Sequence, residues 1–267
     1  MYLPALYEKL DVIFEVGAHA GDAALIEYCQ QTGAQLYMFE PQPSRFQELV
    51  QKTKDVPSIH VFPLAISDVN GRASFNIADF DECSSLLPFD ERVNETWARD
   101  FPIDHFEMVD TIEVDVMRLD TFMEQHQISR VDFIEIDAQG QDLKVVHSLG
   151  DKIRQVRRIQ VEVNLFSAPL YQNACRKEDV MAYFAAHDFE KHLSWKQAMN
   201  REENIIFRNR RFYPNLLYKL CLSTLEQRIP KGRSRSARLS RRFSVMLFQK
   251  IFGHGVVSSH REKGKLT

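Results

Sequence analysis

The sequence predicts an α/β fold, in which helices cover both faces of a mainly parallel β-sheet, followed by a basic tail. Strand-like and helix-like segments alternate over residues 11–208, which is typical of such a sheet. Residues 208–267 carry 15 Lys and Arg against two acids, whereas residues 1–207 carry 19 against 35. We therefore expect one domain over 1–208 and an extension over 209–267 that is helical or partly disordered.

The composition is that of a globular protein. The 267 residues, 44% of them hydrophobic, suffice for one sizeable domain and an appendage. The four cysteines show no spacing typical of a metal site or a disulfide framework, so a reducing cytoplasm is expected. Only ten residues precede the first strand, too few for a signal peptide, and no apolar run is long enough to span a bilayer.

The first strand and the turn after it are the most informative part of the chain. The first strand is expected near 11–16, where an apolar run contains Glu15. It is followed by Gly17 and Gly21, with a helix expected near 21–31. A glycine turn between a strand and a helix lets a small ligand approach bare backbone amides at the start of the helix.

The second strand, over 35–39, ends in Glu40, which lies 23 residues after Gly17. In nucleotide-binding α/β folds an acid about 20 residues past the glycine turn accepts hydrogen bonds from ribose hydroxyls. Pro43 suits the first turn of the next helix, which is expected near 44–54.

The next part of the chain is predicted to leave this alternation. A third strand over 58–66 is followed by DVNG at 68–71, a strong hairpin-turn signal, and then by an antiparallel strand over 72–77. Residues 78–108 show no clean period, so we expect a long loop with at most a short helix, of the kind that forms lids.

The alternation then resumes. The remaining predicted elements are, in order, a strand over 111–116, a helix over 119–125, a strand over 131–137, a helix over 142–149, a strand over 157–163, a helix over 177–187 and an antiparallel strand pair over 188–193 and 203–208. In the tail, helices are expected over 212–229 and 243–252.

The glycine turn favours S-adenosylmethionine over NAD or ATP. It is not the G-x-G-x-x-G loop of dinucleotide enzymes, and it is not a phosphate loop, because no Gly-Lys-Ser/Thr follows. S-adenosylmethionine has a ribose and an adenine but no phosphate. Glu15 is either a partner for its ammonium group or a buried structural acid.

Six segments occur together in a recognisable order. They are EVGAHAGD (15–22), FEPQPSRF (39–46), PLAISDVNG (63–71), CSSL (83–86), the helix start Leu119-Asp120 and VDFIEIDAQGQDLKVV (131–146). In this order they resemble the FkbM family of class I S-adenosylmethionine-dependent methyltransferases, over about residues 11–164. The resemblance implies a Rossmann-like sheet of seven strands and transfer of a methyl group, usually to a hydroxyl oxygen of a sugar, a glycolipid-type glycan or a polyketide.

Two positions depart from the family pattern. Family members usually have Asp-Val-Glu-Gly where this chain has DAQG at 137–140, so Gln139 keeps a hydrogen-bonding role but loses the charge. Many members have Asn in the first loop where this chain has His19, whose imidazole can donate a hydrogen bond.

The strand ends and the resemblance together give the predicted site. Asp137, at the end of the fourth parallel strand, is expected to take the proton of the acceptor hydroxyl or to orient that hydroxyl, unless it only caps the next helix. His19 is the second catalytic candidate, as a base inside the glycine loop. The residues expected to bind the cofactor are Glu15, Gly17, Ala18, His19, Gly21, Glu40, Pro41, Ala65, Ile66, Ser85 and Asp137. Ala65 and Ile66 would line the adenine or belong to the core, and a solvated loop is the alternative for Ser85.

No metal site is predicted, because the oxygen donors of Asp137, Glu162 and Asn164 are spread over 27 residues. The expected acceptor is a small molecule or a glycan, methylated on oxygen. Two alternatives stay open. One is a non-catalytic cofactor- or glycan-binding module whose site is degenerate at Gln139. The other is an RNA methyltransferase that uses the basic tail, although the chain lacks an Asn-Pro-Pro-Tyr motif, which makes nucleic acid a weak candidate.

The tail has three interpretations. It could bind an anionic membrane, bind RNA or another polyanion, or pack as a solvated extension on the acidic body. Its basic residues alternate with Phe and Leu clusters, which favours peripheral association with the inner face of a membrane. Oligomeric state is not predicted.

Overall fold

A computed structural model describes residues 9–98, 105–165, 167–196 and 201–213. The chain divides into two compact units, 1–209 and 210–267. Of the second unit, residues 210–213 are described, and they contain a 3₁₀ turn over Arg210–Phe212. The tail helices expected over 212–229 and 243–252 therefore lie almost wholly outside the described residues.

The helices and strands follow the predicted alternation closely. The strands are β1 (Val12–Val16), β2 (Gln35–Phe39), β3 (Ile59–Phe62), β4 (Ala65–Ile66), β5 (Gly71–Ala78), β6 (Met108–Met117), β7 (Phe133–Ile136), β8 (Arg158–Asn164), β9 (Phe189–Lys196) and β10 (Glu202–Asn209). The helices are α1 (Ala23–Thr32), α2 (Pro43–Thr53), α3 (Val93–Thr96), α4 (Leu119–Gln125), α5 (Asp142–His147) and α6 (Lys177–Ala186). Short 3₁₀ helices cover Asp81–Cys83 and Gly150–Gln155.

The large sheet has seven strands within the described residues, in the order β3-β2-β1-β7-β8-β10-β9. Strand β10 is antiparallel to both of its neighbours, and the other pairs are parallel. The predicted Rossmann-like sheet of seven mostly parallel strands is confirmed. The chain runs from β1 towards one edge and then continues at β7, on the other side of β1. Ligands bind at such a switch point, beyond the carboxyl ends of the strands.

Helices cover both faces of this sheet, as predicted. Successive residues of β1 face opposite sides, as the pleat of a strand requires. Ile13 packs in a buried cluster with Leu25 of α1, whereas Phe14 packs on the other face against Phe122 of α4, with ring centroids 5.8 Å apart.

Local signals in the sequence set the ends of α1 and α2. Asp22 caps α1, since its side chain accepts hydrogen bonds from the backbone nitrogens of Ala24 and Leu25 at 2.7 and 3.0 Å. Gly33 ends the helix in the left-handed conformation, with φ of +72°. Pro43 begins α2, as the sequence predicts.

The prediction over 58–77 is wrong in two respects. The single strand expected over 58–66 is two strands in different sheets, because the chain breaks at Pro63, which has no backbone N–H for a ladder. The hairpin expected at 68–71 is absent from the described structure, because β6 lies between β4 and β5 in a small sheet of order β4-β6-β5. Asn70 instead links the connection between β4 and β5 to the start of α4 through two hydrogen bonds. Its side chain accepts from the backbone of Arg118 and donates to Thr121.

The long segment expected over 78–108 folds around an apolar cluster of its own. Trp97 is 1% exposed, and its indole nitrogen donates to the carbonyl of Ala168 at 2.9 Å. Cys83, Phe89 and Tyr171 belong to the same buried cluster. In its described part, the segment is thus packed and contains the 3₁₀ helix Asp81–Cys83 and the short helix α3. We refer to residues 79–98 as the lid.

No helix in the described part of the chain is long and apolar enough to cross a membrane.

Candidate functional site

A cleft of about 350 Å³ opens where the carboxyl ends of β1, β2 and β7 meet. It is the place where the sequence predicts the cofactor. The predicted residues that line it are Glu15, Gly17, Ala18, His19, Gly21, Glu40, Pro41, Ala65, Ile66 and Asp137. The lid supplies Asp81, Glu82, Ser84 and Leu86. Ten of the predicted residues thus line the cleft, and the structure adds the lining residues of the lid and Glu135 of the floor.

The glycine loop is held close to the ends of two strands. The backbone nitrogens of Gly17 and Ala18 both donate to the carbonyl of Phe39 at the end of β2, at 3.1 and 3.0 Å. Gly17 has φ of +76°, and a Cβ added there would lie 1.9 Å from the carbonyl oxygen of Asp137. Glycine is required at this point because any side chain would push the loop away from β7.

Glu40 is the link between this loop and the end of β2. The side chain is 5% exposed, and its two oxygens accept from the backbone nitrogens of His19 at 2.7 Å and Gln42 at 2.8 Å. Burial raises the pKa of Glu40, and these two hydrogen bonds oppose the rise. Each oxygen keeps a lone pair, which suits a ligand that brings two hydroxyl donors.

Glu15 is a buried carboxyl group on the floor of the cleft. One oxygen accepts from the backbone nitrogen of Asp22 at 2.7 Å, and the other, Oε2, has no hydrogen-bond partner among the described residues. Burial raises the pKa of Glu15 to about 8, against the effect of the Asp22 hydrogen bond. Glu15 is thus both a structural acid and a buried acceptor able to take a cationic group.

Glu135 is a second floor residue, which the sequence analysis missed. It lies opposite Glu15 in the register of β1 and β7, and one of its oxygens accepts from the side chain of Gln160 at 2.8 Å. Its Oε2 is buried without a partner among the described residues. Burial, followed by the charge of Glu15, raises its pKa well above the usual value. An acid in the middle of an apolar central strand is the signal that could have found it.

Asp137 directly follows β7, and its side chain is open to the cleft. Its Oδ1 accepts from the side-chain nitrogen of Gln139 at 2.7 Å. Desolvation by the surrounding cleft walls raises the pKa of Asp137. The hydrogen bond from Gln139 lowers this pKa, and the charge of Glu82 raises it further. Helix α5 begins after Gln141 and no side chain caps it, so Asp137 does not have the capping role.

His19 faces the lid. Its Nε2 lies 3.3 Å from Oδ2 of Asp81, and the same carboxylate accepts from Nε of Arg45 at 2.6 Å. Although partial burial acts against it, Arg45 and His19 hold the pKa of Asp81 below its usual value. The three residues connect the glycine loop, α2 and the lid, and the role of His19 as a base stays a prediction.

Ser85 is the predicted cofactor residue that the structure places outside the cleft wall. It is 1% exposed, and its hydroxyl donates to the carbonyl of Gln139 at 2.7 Å. Its neighbour Ser84 lines the cleft instead. Adjacent residues of an extended segment point to opposite sides, and here the segment is extended because Ser85 forms a β-bridge with Asn76.

An apolar slot lies at one side of the cleft, formed by Leu64, Ala65, Ile66, Phe75 and Leu86. Ala65 and Ile66 are 4% and 3% exposed, so they belong to the core as well as to the slot. A flat aromatic group such as adenine matches this lining.

The cleft is strongly acidic. Seven carboxyl groups line it, from Glu15, Asp22, Glu40, Asp81, Glu82, Glu135 and Asp137. None of the described residues that line it is Lys or Arg. Such a site attracts cationic and neutral ligands and repels phosphates. Within the described residues, no group of three or more His, Cys, Asp or Glu is arranged to hold a metal ion.

Comparison with known families agrees with this geometry. The family model described as the Methyltransferase FkbM domain matches residues 15–201. The chain belongs to the FkbM methyltransferase family. Family membership confirms S-adenosylmethionine as the cofactor. The match also covers all the predicted site residues, although their roles are not tested by it.

One curated relative is the 2-O-methyltransferase NoeI of Sinorhizobium fredii (strain NBRC 101917 / NGR234), which is 27% identical over 168 residues. The match covers 59% of this chain and 65% of NoeI, so the chain spans less than two thirds of that relative.

Two solved structures are similar at low identity. One is Aeropyrum pernix fibrillarin in complex with natively bound S-adenosyl-L-methionine, with 10% identity, a TM-score of 0.43, and coverage of 77% of this chain and 68% of the other. The second is the N-terminal domain of human METTL16 in complex with SAH, with 9% identity, a TM-score of 0.40, and coverage of 75% and 62%.

Proposed function

We propose that this FkbM-family protein transfers a methyl group from S-adenosylmethionine to a hydroxyl oxygen of an uncharged acceptor, such as a sugar, a glycan or a related natural product. The observation that carries the proposal is the place of Asp137. It is a solvent-accessible carboxylate at the end of β7, in the same cleft as the glycine loop and Glu40.

The residues of the cleft fit the cofactor. Gly17 lets the loop pack against the carbonyl of Asp137, which a Cβ would prevent, and this packing shapes the cleft wall. The two oxygens of Glu40 suit the ribose hydroxyls. The unpartnered oxygen of Glu15 suits the ammonium group, and the slot around Phe75 suits the adenine. The absence of Lys and Arg from the described cleft lining does not match a pyrophosphate.

When bound, S-adenosylmethionine supplies a methyl group already activated by a positively charged sulfur. The protein then has to align the acceptor hydroxyl, exclude water and receive one proton. Asp137 is the residue we assign to the proton, because its carboxylate is exposed to the cleft and retains one oxygen that is not bound to Gln139. The lid lines one side of the cleft with Asp81, Glu82, Ser84 and Leu86, and we assign to it the exclusion of water once the acceptor is bound.

The acidity of the cleft supports an uncharged acceptor over RNA. A polyanion would have to bring phosphates towards the exposed carboxylates of Glu82 and Asp137, at an electrostatic cost. The relative NoeI is a 2-O-methyltransferase, which supports oxygen as the methyl acceptor.

The first test is calorimetric titration of the full chain with S-adenosylmethionine and S-adenosylhomocysteine, with NAD and ATP as controls. We expect micromolar binding of the first two alone. No binding would overturn the proposal. The acceptor is then sought with a labelled methyl donor in lysate fractions treated with nuclease or with glycosidase. Loss of the labelled product only after nuclease would favour RNA. Binding without transfer to any fraction would favour a non-catalytic module.

The variant Asp137→Asn tests the assigned base. It keeps the size of the side chain and should bind S-adenosylmethionine as the wild type does, with turnover reduced by about 10² or more. Wild-type turnover would remove Asp137 from the role.

A further inference from the structure

The side-chain amide of Gln139 is bound at both ends. Its side-chain nitrogen donates to Oδ1 of Asp137 at 2.7 Å, and its side-chain oxygen accepts from the hydroxyl of Tyr171 at 2.6 Å. Tyr171 is 3% exposed. A chain of hydrogen bonds therefore leads from a buried phenol to the exposed carboxylate of the cleft.

The chemistry of the three groups fixes the direction of this chain. An ionised carboxylate can only accept, so the nitrogen end of the Gln139 amide faces Asp137. The hydroxyl of Tyr171 has a single proton and two acceptors, the amide oxygen of Gln139 at 2.6 Å and the carbonyl of Cys83 at 2.8 Å, so it binds the oxygen end of the amide in a shared hydrogen bond. The opposite orientation would set the amide oxygen against the carboxylate oxygen, which is repulsive.

The backbone around Gln139 is held in place as well. The carbonyl of Gln139 accepts from the hydroxyl of Ser85 at 2.7 Å, and Gln139 itself has φ of +50°. At Gly140 an added Cβ would lie 3.1 Å from the ring of Tyr171. The backbone at Gln139 and Gly140, the lid and the segment around Tyr171 are therefore in contact. These contacts fix the backbone of Gln139, so its side-chain amide is held within hydrogen-bond distance of Asp137.

We propose that Gln139, oriented by Tyr171, is the positioning residue of Asp137: its amide nitrogen occupies one carboxylate oxygen and leaves the other for the acceptor hydroxyl. This rests on the proposed function, in which Asp137 receives the hydroxyl proton as the acceptor oxygen gains the methyl group, whose bond to the sulfur of S-adenosylmethionine would break to leave S-adenosylhomocysteine. The carboxylate becomes a carboxylic acid and returns the proton to solvent through the open cleft.

The need for a donor at this position follows from the charges around Asp137. Seven titratable groups among the described residues interact electrostatically with Asp137. They are His19, Glu82, Cys83, Glu135, Asp142, Tyr171 and Glu202, and they come from the glycine loop, the lid, β7, α5, the segment after β8 and β10. Most are acids. Burial, followed by the charge of Asp137, raises the pKa of Asp142 to about 8 and that of Glu202 to about 7. An acid at 139 would add a further negative charge, whereas the amide stabilises the ionised form of Asp137.

The direct test is the titration of Asp137 in cofactor-free full-length protein, followed through the ¹³Cγ resonance of labelled aspartate. In Gln139→Met the side chain keeps its approximate volume but loses the donor, and the midpoint of Asp137 should rise by about one pH unit. In Gln139→Glu it should rise further, because two carboxylates then share the site. Tyr171→Phe should give a smaller rise, because the amide is then free to turn.

Two substitutions serve as matched controls. Gln172→Met alters the glutamine that follows Tyr171 in the sequence. Its side chain donates to the carbonyl of Phe89 at 3.0 Å, away from the cleft. Tyr183→Phe alters a half-buried tyrosine on α6. Both should leave the titration of Asp137 unchanged. An unchanged midpoint in Gln139→Met would overturn the proposal. If Gln139→Met does not fold, an unchanged midpoint in Tyr171→Phe overturns it instead.

A kinetic readout separates positioning from a general structural defect. In Gln139→Met the acid limb of the kcat profile should move up with the midpoint of Asp137, and the rate should recover at high pH, with an unchanged KM for S-adenosylmethionine. A rate reduced equally at all pH values would also count against positioning. If wild-type protein fails to bind S-adenosylmethionine while the Asp137 midpoint shifts as expected, the proposed function fails and the amide contact stands. If the wild type binds S-adenosylmethionine normally but the Asp137 midpoint does not shift in the variants, the proposed function stands and the positioning role of Gln139 fails.

Discussion

Glu15 of β1 and Glu135 of β7 lie opposite each other in the sheet register, and each has one buried oxygen without a partner among the described residues. Two carboxyl groups in this arrangement cannot both ionise at low cost, and burial raises the pKa of both. The floor of the cleft therefore holds protons at neutral pH when no cation faces it.

The first prediction follows from the pKa of about 8 for Glu15. An ammonium ligand binds the ionised form, so binding at pH 7 must release a proton. Affinity should therefore fall as the pH drops below about 8, by up to tenfold per unit. Calorimetry at pH 7 in two buffers of different ionisation enthalpy measures the release, expected to be about one proton per S-adenosylmethionine. Glu15→Gln should abolish it, and a heat independent of buffer in the wild type would contradict the assignment.

The second prediction concerns Glu40. Glu40→Ala removes both the ribose acceptor and the anchor of two backbone amides, so S-adenosylmethionine affinity should fall by about 1.5–3 kcal/mol. Glu27→Ala, on the exposed side of α1, is the control and should bind normally. Thermal unfolding of both variants shows how much of the loss comes from the anchor. Wild-type affinity in Glu40→Ala would remove Glu40 from the site.

The third prediction compares two glycines with similar backbone angles. Gly17 and Gly33 have φ of +76° and +72°, so alanine is strained at both, at about 1 kcal/mol. An added Cβ meets nothing within 4 Å at Gly33 but lies 1.9 Å from a backbone oxygen at Gly17. In Gly33→Ala the free energy of unfolding, measured with denaturant, should fall by about 1 kcal/mol, and the variant should still bind the cofactor. Gly17→Ala should lose more stability and most of its binding. Equal behaviour of the two would show that the close approach to β7 is unimportant.

The fourth prediction concerns the contact between the lid and α2. Arg45→Met removes the cation that binds Asp81, a partly buried pair worth about 1 kcal/mol. Dissociation of S-adenosylmethionine, followed by stopped-flow, should become about fivefold faster because the lid opens more often. Arg72→Met, which breaks a pair with Asp115 on the exposed small sheet, is the control. Equal dissociation rates in both variants would mean that Asp81 does not hold the lid closed.

The fifth prediction concerns the tail, for which we propose peripheral association with anionic membranes. Removing residues 214–267 should leave S-adenosylmethionine binding intact but reduce sedimentation with anionic vesicles. The cut is placed after β10 because Asn209 is buried and its side chain donates to the carbonyl of Val156 at 3.0 Å. Neutral vesicles are the control. Unchanged sedimentation after the deletion would count against the membrane, and competition by RNA would favour a nucleic acid.

The elements predicted best from the sequence are those with local signals. The strand, glycine turn and helix around Gly17 follow from an apolar run, a residue able to adopt positive φ and the capping acid Asp22. Glu40 follows from its spacing. In each case the residues that decide the structure are near neighbours in the chain.

What the sequence did not predict depends on contacts between distant segments. The turn at 68–71 has the composition of a hairpin, but β6, some forty residues further on, takes the place beside β5. Ser84 and Ser85 are chemically the same, and only the bridge to Asn76 decides which of them faces the cleft. Glu135 lies within a strand whose other residues are buried and apolar, and its role depends on its register with Glu15.

The small sheet has a consequence for how such enzymes diversify. Strand β4 pairs with the end of β6 at Ala65 and Val116, and the backbone nitrogen of Ser67 donates to the carbonyl of Met117 at 3.2 Å. The chain thus leaves the main domain and returns to it at adjoining points. An excursion closed in this way can be lengthened, shortened or exchanged between homologues without displacing the strands that bind the methyl donor. Under the proposed function, exchange of this excursion would alter the acceptor side of the cleft and the adenine slot at Phe75, while the strand ends that carry Glu15, Glu40 and Asp137 stay in place.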